Sequence, residues 1–368
     1  MQALLALYMV NQVLLPGHVE RVLGFGAFRA VLESIFGPLT TLALASQIFG
    51  LYAGFVYLTP LIGAWLADRL LGQRRTAITG LILMTAGHLL MASETAFLIA
   101  LLLLLLGAGC VKGTMYAQVG NLYSSGDTRR SHAFSVYLIA LNIGAFFAPL
   151  ICGTLGEVYG WHYGFGAAGI GMLVGLAIYI AGWRYLPPDG ARTEGPAIAL
   201  ARNDWRSIWA ILLMLVPTLL IYTAVQQAYN LVIVWASTHV DRSVFGSTFP
   251  VTWFLTFDGL MTIVGVIVAI QVWRWLAARR REPDTMLKFA LAGVLVVLAY
   301  VTLAIGTAVW TIVPALVVLA FFTIMDLSFG WTDPPGNAFV SRFSPKAVVT
   351  TMMSLNLMSF GIANVVVG

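Results

Sequence analysis

Charge is scarce in this chain. Only 10% of its 368 residues are Asp, Glu, Lys or Arg, against roughly 25% in soluble globular domains. Cysteine is almost absent. Cys110 and Cys152 both sit inside apolar runs, so each reads as a buried small hydrophobe and neither supports a disulfide or metal framework. There is no HExxH, no paired histidines at metal spacing, no GxSxG and no P-loop, so the chain reads as a non-enzyme without a cofactor. Without a nucleotide site, any work it does must draw on an ion gradient or a substrate gradient. Period-2 alternation is also missing, which leaves helices as the way to satisfy backbone groups in lipid. The N-terminus, MQALLALYMVNQVLLPG, has neither a basic leading region nor a small-residue cleavage site, so no cleavable signal peptide is expected.

What the chain has is apolar surface. Hydrophobic residues make up 60% of it and the mean hydropathy is +0.90. They come in blocks of about twenty, the length that carries a helix across ~30 Å of hydrocarbon. The pattern predicts an all-α membrane protein with helical spans near 1–15, 42–68, 74–92, 95–119, 131–154, 161–186, 207–237, 250–277, 286–306, 309–331 and 347–368. The first is too short to cross and the last stops at the chain end.

The connections set an orientation. Sixteen Lys and Arg residues, from Arg69 to Lys346, fall on or beside alternate loops, and the opposite loops hold only Arg21, Arg29 and Arg242. This is a strong positive-inside asymmetry. It places the polar stretch 187–206, PPDGARTEGPAIALARNDWR, on the cytoplasmic side as a linker. The expected organisation is an N-terminal bundle over 1–186, the linker, and a C-terminal bundle over 207–368. Two six-helix halves joined by a linker describe the major facilitator fold. The span count leads to the expectation of a partial first span and a missing twelfth. Basic residues between spans do not form the single stripe that nucleic acid would require.

Few residues carry chemistry, and most are placed where charge is expensive. Gly63-Ala-Trp-Leu-Ala-Asp68-Arg69-Leu-Leu-Gly72-Gln-Arg74-Arg75 links spans two and three. Gly63 permits close helix approach, Gly72 a tight turn, and Asp68 can latch onto an Arg or a helix terminus. The plainer alternative is that Arg69, Arg74 and Arg75 are only interface anchors. A weaker echo, Trp273-Arg-Trp-Leu-Ala-Ala-Arg279-Arg-Arg-Glu282-Pro-Asp284, occupies the same place in the second half.

Lys112, in Leu106-Gly-Ala-Gly-Cys-Val-Lys112-Gly113, lies well inside span four. An ammonium there costs at least ~3 kcal/mol unless it faces water or an anion. Asp258 is a second charge within a span, and Asp326 and Asp333 fall in or near span ten. Such acids pair with a cation or take up a proton, and partly hydrated structural acids remain the alternative. His88 in span three reads as a hydrogen-bonded packing residue more readily than as a titrating one.

Taken together, these motifs resemble the proton-dependent oligopeptide transporter family, essentially end to end. The pieces that carry the likeness are Gly50-Leu-Tyr-Ala-Gly-Phe-Val-Tyr57-Leu-Thr-Pro60 leading into the loop motif, and Lys112 with Gly113. Phe134-Ser-Val-Tyr137-Leu-Ile-Ala-Leu-Asn142-Ile-Gly144, Trp161-His-Tyr-Gly-Phe-Gly166 and Pro250-Val-Thr-Trp253-Phe254 complete the set. The resemblance implies import of di- and tripeptides with co-transported protons, by alternating access, through a cytoplasmic membrane of bacterial type. It implies that Lys112 serves peptide carboxylate binding and proton coupling, and that Tyr57, Asn142, Gln226 and Trp253 line the substrate path. Asp258 falls where many relatives carry an asparagine that contacts the peptide amino group; a carboxylate there could bind the ammonium or carry the coupled proton.

The chain also departs from the family. The first-span ExxER motif is absent, and Glu20-Arg21 lies in the outer loop beyond that span. Gln2 and Gln226 stand where relatives carry an arginine and its glutamate partner, and Phe329 where they carry a span-ten glutamate. Losing both members of a pair avoids stranding one buried charge. The leading expectation is therefore a proton–peptide symporter whose partners are small peptides, protons and lipid. A carrier of another small solute such as an amino acid or nitrate stays open, as does a non-transporting fragment or sensor on the same scaffold.

Overall fold

A computed structural model of the chain describes residues 2–122, 129–186, 202–244, 246–345 and 349–368, and groups them into two compact units, Met1–Glu194 with Gly368, and Gly195–Val367. Most of the linker expected over 187–206 lies outside the described residues, as does Lys346.

The N-terminal unit holds α1 (Gln2–Tyr8), α2 (Phe25–Phe36), α3 (Thr41–Leu66), α4 (Gln73–Leu90), α5 (Phe97–Asn121), α6 (Arg129–Ala148) and α7 (Trp161–Gly182). Wide π turns extend α1 over Met9–Val13, α3 over Ala67–Leu71 and α6 over 149–153 and 155–159. The C-terminal unit holds α8 (Arg202–Gln227), continued as a π turn over Ala228–Val232, then α9 (Ile233–His239), α10 (Trp253–Ala278), α11 (Thr285–Val309), α12 (Ala315–Phe343) and α13 (Val349–Val367). Its loops form two minimal ladders. β1 (Val240–Asp241) pairs in parallel with β4 (Val313–Pro314), and β2 (Ser243–Val244) pairs antiparallel with β3 (Ser247–Thr248).

Among the described residues, eight helical segments are long and apolar enough to cross a membrane. Two shorter apolar segments, Leu4–Val13 and Leu355–Val367, correspond to the first and last expected spans. Helix α4 is 18 residues long and carries Gln73, Arg74, Arg75 and His88, which lowers its apolar content. The helix starts follow local chemistry. The Thr40 hydroxyl accepts from the Ala43 amide at 3.2 Å, and an Asp284 carboxylate oxygen accepts from the Leu287 amide at 2.8 Å. Each satisfies one of the orphan donors at a helix N-terminus.

Two elements differ from the sequence expectation. The segment between the first two spans contains α2, where no helix was expected. At 12 residues it covers only about 18 Å and cannot cross. Glycines at positive φ, Gly24 at 75° and Gly37 at 78°, bound it, and Arg29 pairs with Glu33 at 2.9 Å. That bond and the Leu39 amide hold the Glu33 carboxyl below the usual carboxylate range. The second is span ten, expected over 309–331. It begins at Ala315 and runs straight through Pro334 and Pro335 to Phe343. Proline inside a membrane helix is tolerated when neighbours re-satisfy the freed backbone groups, so the Pro pair does not end α12.

The cores differ in character. Tyr8 anchors the N-terminal one, with ring centroids 4.9 Å from Phe165 and 5.8 Å from Trp161. In the C-terminal unit, Ile211 and Met214 of α8, Phe289 and Ala292 of α11, Val340 of α12 and Met352 of α13 form one buried cluster. Cys110 and Cys152 are both free and buried.

Candidate functional site

In the N-terminal unit the site is built by a close helix crossing. A Cβ placed on Gly63 of α3 would lie 2.2 Å from the Gly109 carbonyl oxygen of α5. Gly109 meets Thr59 in the same way at 2.7 Å, and Gly113 meets the Pro60 carbonyl at 2.7 Å. Only residues without a side chain allow backbones this close, the small-residue packing that replaces hydrophobic drive in a membrane. The Thr59 hydroxyl adds a bond to the Leu105 carbonyl at 3.2 Å.

This crossing fixes Lys112, the neighbour of Gly113, against Tyr57 on the facing helix. The Lys112 ammonium lies 4.6 Å from the centroid of the Tyr57 ring. Lys112 is exposed and Tyr57 half-buried. A ring face steadies the cation by ~1 kcal/mol and leaves its N–H donors free for an anionic group. Asn142 lies half-buried on α6 of the same unit and makes a polar contact of its own.

The loop motif resolves into separate parts. Gly63 belongs to the helix crossing. Gly72, with φ 78°, makes the turn that starts α4. Arg74 donates to the Leu186 carbonyl beyond the end of α7 and lies over the Trp183 ring at 5.5 Å. Arg69 and Arg75 are exposed. Asp68 sits in the π turn after α3, and its side chain is outside what is described. Arg74 therefore grips the C-terminal end of α7, where carbonyl dipoles favour a cation.

The C-terminal unit presents acids. Asp258 on α10 is 6% exposed, and both its carboxyl oxygens accept from the Tyr229 hydroxyl at 3.0 Å. Tyr229 lies in the π turn that continues α8, three residues beyond Gln226, which is itself buried. Trp253 is 42% exposed and stacks on Phe249, with centroids 6.0 Å apart. Five residues separate Trp253 from Asp258, a rotation of about 140° around the helix. They therefore occupy different faces of α10.

Sequence reasoning left Asp326 and Asp333 undecided and did not single out their partners. Asp326 is buried on α12 and accepts from Thr262 of α10 at 3.0 Å. Asp333 accepts from the Tyr222 hydroxyl of α8 at 3.2 Å and from the Asn337 amide at 3.2 Å. Asn337 in turn accepts from Asn356 of α13 at 2.8 Å. Spacings of seven and eleven put Asp326, Asp333 and Asn337 within about 20° of one stripe on α12, a signal that helical periodicity makes available. His88 is buried on α4, and its Nδ1 has no hydrogen-bond partner among the described residues.

Known proteins of the same shape carry transport names. The chain matches the model of the Major Facilitator Superfamily over residues 3–368. It is 26% identical over 391 residues to a di-/tripeptide transporter of Lactococcus lactis subsp. cremoris, covering 85% of this chain and 77% of the relative. It is 27% identical over 373 residues to the uncharacterized transporter YclF of Bacillus subtilis (strain 168), covering 84% of this chain and 75% of the relative. The crystal structure of a peptide transporter POT mutant in complex with alafosfalin superposes with a TM-score of 0.84 at 24% identity, covering 100% of this chain and 83% of that one. The last likeness bears on the fold alone, and it is the fold of a multi-pass membrane transporter. These likenesses agree with the POT-family resemblance of the sequence motifs, and the end-to-end match of the superfamily model fixes the wider identity: the chain belongs to the Major Facilitator Superfamily.

Proposed function

We propose that this chain is a proton-coupled symporter that imports di- and tripeptides by alternating access. The observation that carries the reading is Lys112, an exposed ammonium inside an apolar helix, steadied by Tyr57 and with no acidic partner among the described residues. A carboxylate satisfies such a group, and every peptide ends in one. Its relatives' names supply the substrate class. The charge-assisted bond from Lys112 to the peptide carboxylate is about twice as strong as a neutral one. Tyr57 limits the positions the ammonium can take, and Asn142 supplies a neutral hydrogen-bonding group for the peptide backbone. In the C-terminal unit Gln226 and Trp253 serve the same substrate path, and Asp258 offers a negative charge for the peptide ammonium or a seat for the coupled proton. Gly63, Asp68, Arg69, Gly72, Arg74 and Arg75 act in gating, with the Arg74 grip on α7 as the contact that must yield.

The proposed setting is a bacterial cytoplasmic membrane with the 187–206 linker on the cytoplasmic side, as the loop charges require. The test is uptake of a labelled dipeptide into proteoliposomes with an acidic exterior. Accumulation should collapse when the gradient is dissipated by a protonophore, and excess unlabelled dipeptide should compete. Uptake that ignores the gradient, or that survives Lys112→Ala, would overturn the mechanism. Competition by amino acids or nitrate in place of dipeptides would transfer the site to another anionic solute.

A further inference from the structure

We propose that Asp258 and Asp326 form a two-carboxyl proton site in the C-terminal unit, holding one proton between them, with Tyr229 and Thr262 fixing its geometry. Neither residue type nor spacing in the sequence pairs these acids, because they lie 68 residues apart on different helices. Packing does so. A Cβ on Gly265 of α10 would lie 2.4 Å from the Asp326 carbonyl oxygen, and one on Gly330 of α12 would lie 2.8 Å from the Gly265 carbonyl. The two backbones touch, so side chains one and two turns away are forced together.

Thr262 stands one turn from Asp258 on α10, and its hydroxyl donates to Oδ1 of Asp326 at 3.0 Å, which puts the two acids beside each other at the crossing. Both residues are buried, at 6% and 4% exposure. Two ionised carboxylates offer only acceptors, so acids held this close need a proton between them to bond rather than repel. The remaining partners agree. Tyr229 donates to Asp258, and Thr262 donates to Oδ1 of Asp326. Oδ2 of Asp326 is buried and receives no donor from another group. A shared proton resolves that orphan.

No cation competes for the site among the described residues of this unit. Arg274 on α10 and Arg342 on α12 are each sixteen residues along their helices, about 24 Å away. Lys288 of α11 is held by Glu282 at 2.7 Å and lies over Trp273. Arg242 donates to the Phe249 and Ser237 carbonyls. From α8, Tyr222 is committed to Asp333; from α11, Tyr300 donates to the Ala224 carbonyl at 2.7 Å. Helix α13 carries no titratable group. Like charges in contact cannot both ionise in such a place. The pair therefore loads and releases a single proton, which enters from one side of the membrane and leaves to the other with no bond changed elsewhere.

The role of the pair in coupling rests on the symporter reading, but its existence does not. The test uses the purified chain in liposomes. Infrared spectroscopy should show a neutral carboxyl band with the signature of a proton shared with a second carboxyl. That band should be lost in Asp258→Asn and equally in Asp326→Asn, each replacing it with an unshared band. Thr262→Val keeps both acids, should shift the band, and serves if the asparagine variants do not fold. In uptake, each asparagine variant should lower gradient-driven dipeptide accumulation about tenfold or more, with the double variant no worse than the poorer single one, as groups acting as a unit require. A band untouched by Asp326→Asn or Thr262→Val, or two carboxyls titrating independently, would overturn the pair. Wild-type vesicles that accumulate no dipeptide would remove the symport reading and leave the infrared result to decide the pair.

Discussion

The two units of this transporter treat charge in opposite ways. Among the described residues, the N-terminal unit places Lys112 deep within an apolar span and leaves it exposed, with an aromatic face beside it. The C-terminal unit places Asp258, Asp326 and Asp333 within its spans and surrounds each with hydroxyl or amide donors. An exposed ammonium keeps donors free for an anionic solute. A buried acid held among such donors, as Asp258 and Asp326 are, has room for little more than a proton. On the proposed function, the difference would give substrate recognition chiefly to the first unit and proton handling chiefly to the second. Both units use one device to hold these groups: a crossing of glycine-bearing helices, α3 on α5 and α10 on α12.

The sharpest way to break this division is Lys112→Ala. Truncating one member of a charged, hydrogen-bonded pair costs roughly 2–5 kcal/mol, so dipeptide uptake should fall at least about 30-fold in the proteoliposome assay. Asp258→Asn, by contrast, should leave measurable peptide binding by calorimetry while weakening accumulation. Equal loss of binding in both variants would erase the distinction between the units.

Gly265→Val attacks the scaffold instead of the charge. Its added Cβ would be forced into the Asp326 carbonyl, and overpacking of this kind costs about 1–3 kcal/mol. The purified variant should unfold at lower temperature in a thermal-shift measurement. Its infrared carboxyl band should change as well, since the crossing sets the acid pair.

Tyr229→Phe is expected to be milder. It removes the donor shared by both Asp258 oxygens, a loss of about 1–3 kcal/mol for a buried acceptor. Gradient-driven accumulation should drop about tenfold, with Lys112-dependent peptide binding retained. The smallest effect is expected at Tyr57. Tyr57→Phe keeps the ring face and should leave the dipeptide KM within about twofold, whereas Tyr57→Leu loses a cation–π contact of ~1 kcal/mol and should raise KM about fivefold. If both variants behave alike, the ring face is not what steadies Lys112.

Much of this architecture was legible before any coordinates. Blocks of about twenty apolar residues locate the membrane helices, because the hydrocarbon thickness sets their length. The exceptions have physical causes. Helix α2 escaped because an amphipathic 12-residue helix in an outer loop leaves no long apolar run. The extension of α12 escaped because Pro334 and Pro335 signal a stop, which neighbouring helices can override in lipid. Lys112 and Asp258 stood out because an isolated charge in an apolar span is costly wherever it sits.

The sequence by itself determined the membrane setting, the approximate places of the spans and which charges fall inside them. Those properties depend on local composition and on helix length. Tertiary structure alone decided which groups meet: Lys112 with Tyr57 across α3 and α5, Arg74 with the end of α7, and Thr262 with Asp326 across α10 and α12. Contact between residues distant in sequence depends on where two helices cross. Glycines permit that crossing, but only packing selects which of them is used.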